Sequence, residues 1–156
     1  MNRTLMIGAI STLTLSAAAF AQQGRFGTAQ EARAMLDKVV AAVKADQTKA
    51  LDMFNNGAGG FLDRDLYPFC SNASDGKFVA VGPNAKQLLG TDIRALKDPT
   101  GKTYGPELYA AAQKPEGQVT EVSYMFTRPG ADQTPVPKVT FVTRAGDLAC
   151  GVGYYK

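Results

Sequence analysis

The last 19 residues of the chain, 138–156, constrain the fold most, because their alternation of residue types is that of a β-hairpin. Two alternating runs flank the turn Ala145-Gly146-Asp147. In the second run, bulky residues alternate with a nearly bare face that carries Gly151 and Gly153. Glycine weakens a strand unless a neighbouring group must come close. We therefore expect another part of the molecule, or a ligand, to lie over these two glycines, as in a small-molecule-binding domain.

The first 21 residues have the pattern of a secretory signal peptide. Arg3 precedes an apolar run, and Ala19-Phe20-Ala21 forms a small-x-small cleavage site. The run is shorter than the roughly 20 residues needed to span a bilayer, which argues against an uncleaved anchor. We predict that residues 1–21 are removed and that residues 22–156 form one domain, periplasmic or secreted, that does not span the membrane.

Composition excludes several classes of function. Without Arg3, 16 Lys and Arg remain against 14 Asp and Glu, a net charge of +2 spread along the chain. Such a charge gives no electrostatic case for nucleic-acid binding. Histidine is absent, so Ser-His-Asp and Cys-His triads, His-ligated zinc and haem lose their usual residue. We predict no catalytic residue, no metal site and no cofactor.

The only two cysteines, Cys70 and Cys150, are far apart in sequence. In an exported protein a single disulfide is the economical interpretation, and two buried free thiols are the alternative.

Ahead of the hairpin, periodicity predicts a long helix followed by two strands. Thr28 and Glu31 have capping-box spacing, and apolar residues recur at helical spacing to Asn55, with an interruption at most near Ala45-Asp46. A short strand then ends at Cys70, and Pro68 within it indicates an edge position or a bulge. Residues 77–82 form the returning strand.

Short helices are predicted between residues 83 and 117, including one that opens at Gly105-Pro106. Residues 119–127 alternate as a third strand, and residues 128–137 are expected to be a loop. The fold class is thus α+β. A long N-terminal helix covers one face of a five-stranded antiparallel sheet, and the short helices cover the other.

In this order the elements resemble the single Cache domain, the PAS-like extracytoplasmic sensor module of bacterial chemoreceptors and histidine kinases. The resemblance covers nearly all of residues 28–156. Besides the long helix, it rests on the segments Asp65-Leu66-Tyr67-Pro68-Phe69, Gly76-Lys77-Phe78-Val79-Ala80 with Gly82-Pro83-Asn84, Leu88-Leu89-Gly90-Thr91-Asp92, Asp98-Pro99-Thr100-Gly101-Lys102 and Cys150-Gly151-Val152-Gly153-Tyr154-Tyr155.

The resemblance implies that the first strand lies beside the fifth, which would place Cys70 and Cys150 on neighbouring strands and favours the disulfide. It also implies a pocket between the sheet and the short helices for a small organic ligand such as a carboxylate or an amino acid. From the sequence we expect neither a second membrane helix nor an output domain. We therefore expect any signal to pass through a membrane partner, a sensor kinase or a chemoreceptor.

Six residues are candidates for ligand binding, because a carboxylate in a partly dry pocket needs a charged donor and hydroxyl groups. Arg94 leads, since guanidinium can bind a carboxylate through two bonds. The others are Lys97, Lys138, Tyr67, Tyr104 and Tyr124. The alternatives are a surface charge for Arg94, paired with Asp92 or Asp98, surface charges for the lysines, and core or wall positions for the aromatic residues.

We thus predict a periplasmic sensory domain that binds a small carboxylate or a similar metabolite and acts in signal transduction or chemotaxis. The first alternative is an interaction module that regulates a kinase or transporter without a ligand, which a collapsed pocket behind Gly151 and Gly153 would favour. The second is an enzyme that uses Asp63 and Asp65. A homodimer through the N-terminal helix is compatible with the resemblance, although the apolar stripe of that helix is needed to cover the sheet.

Overall fold

The computed structural model describes residues 24–130 and 132–156. The predicted signal peptide, residues 1–21, lies outside this range and stays a prediction. The helices are α1 (Ala29–Ala45), α2 (Gln47–Asn56) and α3 (Gly105–Ala112), with 3-10 turns at Pro83–Leu88 and Ile93–Ala95. The strands are β1 (Pro68–Asn72), β2 (Phe78–Ala80), β3 (Thr120–Thr127), β4 (Pro135–Ala145) and β5 (Leu148–Tyr155). None of these helices is both long and apolar enough to cross a membrane.

The predicted long helix is present as two helices joined at Asp46. The capping box at its start is formed, with Glu31 N donating to Thr28 Oγ1 at 3.2 Å and Thr28 N donating to Glu31 Oε2 at 2.8 Å. At Asp46 the backbone is extended, and its carboxylate accepts from Lys49 N at 3.0 Å. Asp46 therefore ends α1 and caps α2, which confirms the interruption expected at this position.

All five strands form one antiparallel sheet in the order β2-β1-β5-β4-β3. The first strand lies beside the fifth, and Cys70 is directly opposite Cys150. The two cysteines form a disulfide, which confirms the predicted pairing.

Two predictions about proline-containing segments are refined. β1 is an interior strand of the sheet, but β2 pairs with it only from Cys70 onward, so Pro68, the first residue of β1, pairs with β5 alone and lies at a local edge. The bulge lies between Cys70 and Ser71. The loop expected at residues 128–137 is shorter, because Pro135 already pairs with Thr127. The start of β4 extends past the end of β5, so the missing amide hydrogens of its prolines interrupt no pairing with β5.

The sheet separates two apolar clusters. Helices α1 and α2 pack on one face, where Leu36, Phe54, Phe141 and Val152 belong to one buried cluster. Residues 83–112, which we call the covering segment, pack on the other face. The nearly bare face of β5 points to the covering segment, and the space between them holds the candidate site.

Candidate ligand-binding cavity

A cavity of about 570 Å³ lies between β4, β5 and the covering segment. Its lining includes Arg64, Arg128 and Lys138, and no aspartate or glutamate of the described residues lines it. Its open side is marked by exposed lining residues: Leu62, Asn84, Gln87, Pro129, Gly130 and Gln133. The cavity is therefore basic and open to solvent along one side.

The two glycines of β5 make room for side chains of the cavity wall. A Cβ atom at Gly151 would lie 2.6 Å from Cζ of Phe69, and one at Gly153 would lie 2.6 Å from Cε of Lys138. The expectation that something lies over these glycines is confirmed. The groups that occupy this space are side chains of the protein, with the cavity beyond them.

Lys138 is the central cation of the cavity. The residue is only 4% exposed, and its ammonium lies 5.0 Å from the ring centroids of Tyr67 and Phe126 and 4.6 Å from that of Tyr155. Its two hydroxyl contacts, Tyr67 Oη and Tyr155 Oη, are both at 3.5 Å, the outer limit of a hydrogen bond. No ion pair found in the described chain includes Lys138. Aromatic faces stabilise this buried charge, but the part of the chain that the structure describes supplies no counter-charge.

Tyrosine hydroxyls supply neutral donors beside Lys138. Tyr124 Oη is 2.8 Å from Thr140 Oγ1, and the ring of Tyr124 stacks on Tyr104 at 3.9 Å. Burial raises the pKa of Tyr104 and Tyr124 to about 12. Burial also raises the pKa of Tyr155, whose hydroxyl donates to Thr127 O at 2.6 Å. At neutral pH these phenols keep their protons and do not cancel the charge of Lys138.

The two arginines of the lining differ in how far they are neutralised. Arg64 Nη2 lies 2.7 Å from Glu31 Oε1 and 2.8 Å from Asp63 Oδ2, so two carboxylates balance its charge. Arg128 lies over the ring of Phe26 at 4.4 Å and donates to Lys156 O at 3.1 Å. Its buried Nε has no hydrogen-bond partner among the described residues. Arg128 thus adds positive potential to the cavity without an acidic partner among the described ion pairs.

Four of the six predicted ligand-binding residues come together in the cavity, namely Tyr67, Tyr104, Tyr124 and Lys138. Their contact with a ligand stays a prediction.

The structure does not bring Arg94 or Lys97 to the cavity. Arg94 Nη2 lies 2.6 Å from Asp92 Oδ2 and donates to Asp75 O at 2.9 Å, and the guanidinium lies over Tyr109 at 4.8 Å. These contacts hold Arg94 at the outer surface. The pair with Asp92 is one of the two surface pairs predicted from the sequence as the alternative to ligand binding. Lys97 is exposed, while the preceding Leu96 lines the cavity. In an extended segment, neighbouring side chains point to opposite sides.

Among the lining residues that sequence reasoning missed are Phe126, Arg128, Thr140 and Tyr155. Three of these four carried a usable signal. Phe126, Thr140 and Tyr155 each lie two residues after Tyr124, Lys138 and Gly153, so each shares a sheet face with a residue already singled out. Arg128 carried no such signal, because its place depends on the turn between β3 and β4.

The acidic residues considered for an enzyme serve structural contacts. Asp63 is bound by Arg64, whose hydrogen bonds lower the pKa of that carboxyl. Asp65 is 3% exposed and accepts from Gly27 N at 2.6 Å. Neither residue lines the cavity.

The fold and the cavity can be set beside known proteins. A family model described as "Single Cache domain 2" matches residues 18–153. The chain belongs to the single Cache domain family. Single Cache domains are extracytoplasmic ligand-sensing modules. Membership of the family therefore supports a ligand-binding role in signalling for this chain. A comparison with curated proteins gave no match.

Solved structures share this Cache fold. A methyl-accepting chemotaxis protein from Vibrio parahaemolyticus RIMD 2210633 is 21% identical, with a TM-score of 0.62 over 81% of this chain and 86% of that chain. A periplasmic sensor domain of a chemotaxis protein is 23% identical, with a TM-score of 0.58 over 81% and 88% of the two chains. A Cache chemosensory domain described for carboxylic acid recognition is 24% identical, with a TM-score of 0.56 over 81% and 86%.

Proposed function

We propose that this single Cache domain is an exported sensory domain that binds a small carboxylate in the cavity and signals through a membrane partner. One observation carries the proposal: the ammonium of Lys138 is buried in the cavity wall, surrounded by aromatic rings, and has no acidic partner among residues 24–130 and 132–156. A buried charge is costly unless it is paired. A ligand carboxylate would supply the missing charge.

The chemistry of the lining favours a carboxylate over an amine or an amino acid. An ammonium group on a ligand needs a carboxylate partner, and the described lining offers none. Arg128 and Lys138 both add positive potential, and the hydroxyls of Tyr67 and Tyr124 are neutral donors. The carboxylate of an amino acid would contribute favourably to the binding free energy, but desolvation of its unpaired ammonium group would oppose binding.

The open cavity also favours a ligand over an interaction module whose pocket is filled by its own side chains. A volume of about 570 Å³ lies within the range of roughly 300 to 1,000 Å³ that is common for small-molecule sites. Phe69 and Lys138 fill only the space directly over the two glycines.

Export and signalling are supported by observations other than the cavity. The signal-peptide pattern of residues 1–21 and the disulfide both suit an oxidising compartment such as the periplasm. The resemblance to chemoreceptor sensor domains makes a chemoreceptor or a sensor kinase the expected partner. Pairing of two copies through α1 stays a prediction.

The test is the melting temperature of the disulfide-intact domain in the presence of acetate, hexanoate, phenylacetate, succinate, glycine, phenylalanine and phenylethylamine. A ligand that binds only the folded state raises this temperature in a saturable way. We expect carboxylates without an amine to stabilise the domain, and Lys138→Met to abolish the effect. Lys97→Met, which removes an exposed lysine of the covering segment, is the matched control and should keep it.

Stabilisation by phenylethylamine but not by phenylacetate would overturn the carboxylate assignment. No response to any of the seven compounds by a folded protein would favour the interaction module.

A further inference from the structure

The cavity is divided into a charged end and a hydrocarbon end. Lys138 and the rings around its ammonium, Tyr67, Phe126 and Tyr155, form the charged end. None of these four residues belongs to the apolar cluster under the covering segment. Tyr104 and Tyr124 do belong to it, and they connect the two ends through their stacked rings.

The hydrocarbon end is built from side chains of β1, of β2 with the residue after it, and of the covering segment. Six lining residues that belong to the apolar cluster carry no polar side-chain atom: Phe69, Phe78, Val81, Leu88, Leu96 and Leu108. Water in this part of the cavity would have few hydrogen-bond partners. An apolar ligand group would release that water and bury hydrocarbon surface on both sides.

From this division we propose that the ligand is a monocarboxylate with an apolar body of about the size of a phenyl group. The proposal rests on the carboxylate binding proposed above and adds the nature of the rest of the molecule. A two-carbon acid would fill only the charged end of a cavity of about 570 Å³. The hydrocarbon end would then contribute nothing to its affinity.

A single negative charge fits the arrangement of cations. Two carboxylates already balance Arg64. Arg128 lies 5.3 Å from the centroid of the Tyr155 ring, and Lys138 lies 4.6 Å from it, so both cations are at the charged end. A second carboxylate placed among these six apolar side chains would receive no hydrogen bond from them, since the amides of Asn84 and Gln87 lie at the exposed rim of the described lining. A dicarboxylate is therefore disfavoured unless its second group turns back to Arg128.

Ala85 is the smallest side chain that lines the hydrocarbon end. It belongs to the first 3-10 turn of the covering segment, lines the cavity and packs, partly buried, against the apolar cluster. A larger side chain there would occupy the space of the ligand body and leave Lys138 untouched. Ala95 lies in the same segment, is exposed and is not part of the lining, so it provides a matched control.

The experiment is calorimetric titration of the wild-type domain with acetate, butanoate, hexanoate, phenylacetate, 3-phenylpropanoate, succinate and adipate. Each buried methylene should tighten binding by about three- to fourfold. We expect 3-phenylpropanoate to bind at least tenfold tighter than butanoate. Ala85→Phe should remove most of that difference while butanoate binding changes little, and Ala95→Phe should leave the whole series unchanged.

The outcomes separate the two proposals. If acetate and butanoate bind as tightly as 3-phenylpropanoate, the proposal of an apolar ligand body is wrong, while the proposal of carboxylate binding stands. If succinate or adipate binds tightest and Arg128→Met removes that preference, the single charge is wrong. If no carboxylate binds, both proposals fail. The series on the wild-type protein decides among these outcomes even if Ala85→Phe does not fold.

Discussion

Lys138 and Tyr155 are direct partners across β4 and β5, and the ammonium of Lys138 lies 4.6 Å from the centroid of the Tyr155 ring. The pairing register of the terminal hairpin therefore fixes where the buried charge lies. Gly153, two residues before Tyr155 on the same face, leaves room for the aliphatic part of Lys138. The geometry of the proposed anion site is thus set by β4 and β5, and the hydrocarbon end comes from other elements.

Gly153→Ala should weaken carboxylate binding. The new Cβ would lie 2.6 Å from Lys138 Cε and 2.7 Å from Thr140 Oγ1, so at least one of these groups must move. Overpacking of this kind costs about 1–3 kcal/mol of folding free energy. We expect a lower urea midpoint and at least tenfold weaker binding of phenylacetate. Gly151→Ala, which meets Phe69 instead, should cost similar stability with a smaller loss of affinity. Unchanged affinity in Gly153→Ala would show that Lys138 need not hold its position.

Arg94→Ala should leave ligand affinity unchanged. Its guanidinium binds Asp92 and the carbonyl oxygen of Asp75 at the surface, outside the cavity. Because this contact is exposed, we expect only a small fall in melting temperature. Calorimetric titration with phenylacetate checks the prediction, and a tenfold loss of affinity would mean that Arg94 reaches the ligand.

Removal of the disulfide should cost much of the stability. Cys70 and Cys150 are 80 residues apart, and in the chain-entropy model a loop of this length stabilises the fold by about 4.5 kcal/mol. We expect the double variant Cys70→Ala with Cys150→Ala to lose roughly 2–5 kcal/mol in urea unfolding. The reduced wild-type protein is the control and should behave like the variant. Equal stability of the oxidised and reduced proteins would contradict the prediction.

Acid should remove the contribution that the carboxylate of Asp98 makes to folding stability at the edge strand β3. Asp98 accepts from the hydroxyl of Thr100 and from the amide of Met125 in β3. These and two further backbone hydrogen bonds lower the pKa of Asp98 from 3.8 to about 2. Because the folded pKa is the lower one, the contribution is present above about pH 4 and is lost as the pH falls toward 2.

Urea midpoints of the wild type and of Asp98→Asn, measured from pH 6 to pH 2, check this contribution. The difference between the two urea midpoints should be constant above about pH 5 and should narrow below pH 4. A difference that does not change with pH would mean that the substitution acts through packing and not through the loss of charge.

Local patterns predicted most of the fold. The capping box at Thr28 and Glu31, the break at Asp46 and the alternation of β5 each depend on residues a few positions apart, and each is present. The start of β4 was missed, because it contains Pro135 and Pro137 and proline is rare within strands. The structure tolerates them where β4 extends past the end of β5.

The site was predicted only in part, because it is assembled from distant elements. Lys138 and Tyr124 were identified from residue type and place in the chain, and the register of β3 and β4 brings them together. Arg94 was ranked first because it lies in the covering segment. Its side chain is bound by Asp92, only two residues earlier, which turns it away from the cavity. The pairing of Lys138 with Tyr155 follows from strand register, which residue types alone do not determine.

Titration calorimetry with phenylacetate on the wild type, Lys138→Met and Lys97→Met tests the central claim most directly. A charge-assisted hydrogen bond to a carboxylate contributes about 1.5–3 kcal/mol, which corresponds to roughly a 10- to 100-fold change in affinity. The account predicts a loss of that size in Lys138→Met and wild-type affinity in Lys97→Met. Equal affinity for phenylacetate in all three proteins would contradict it.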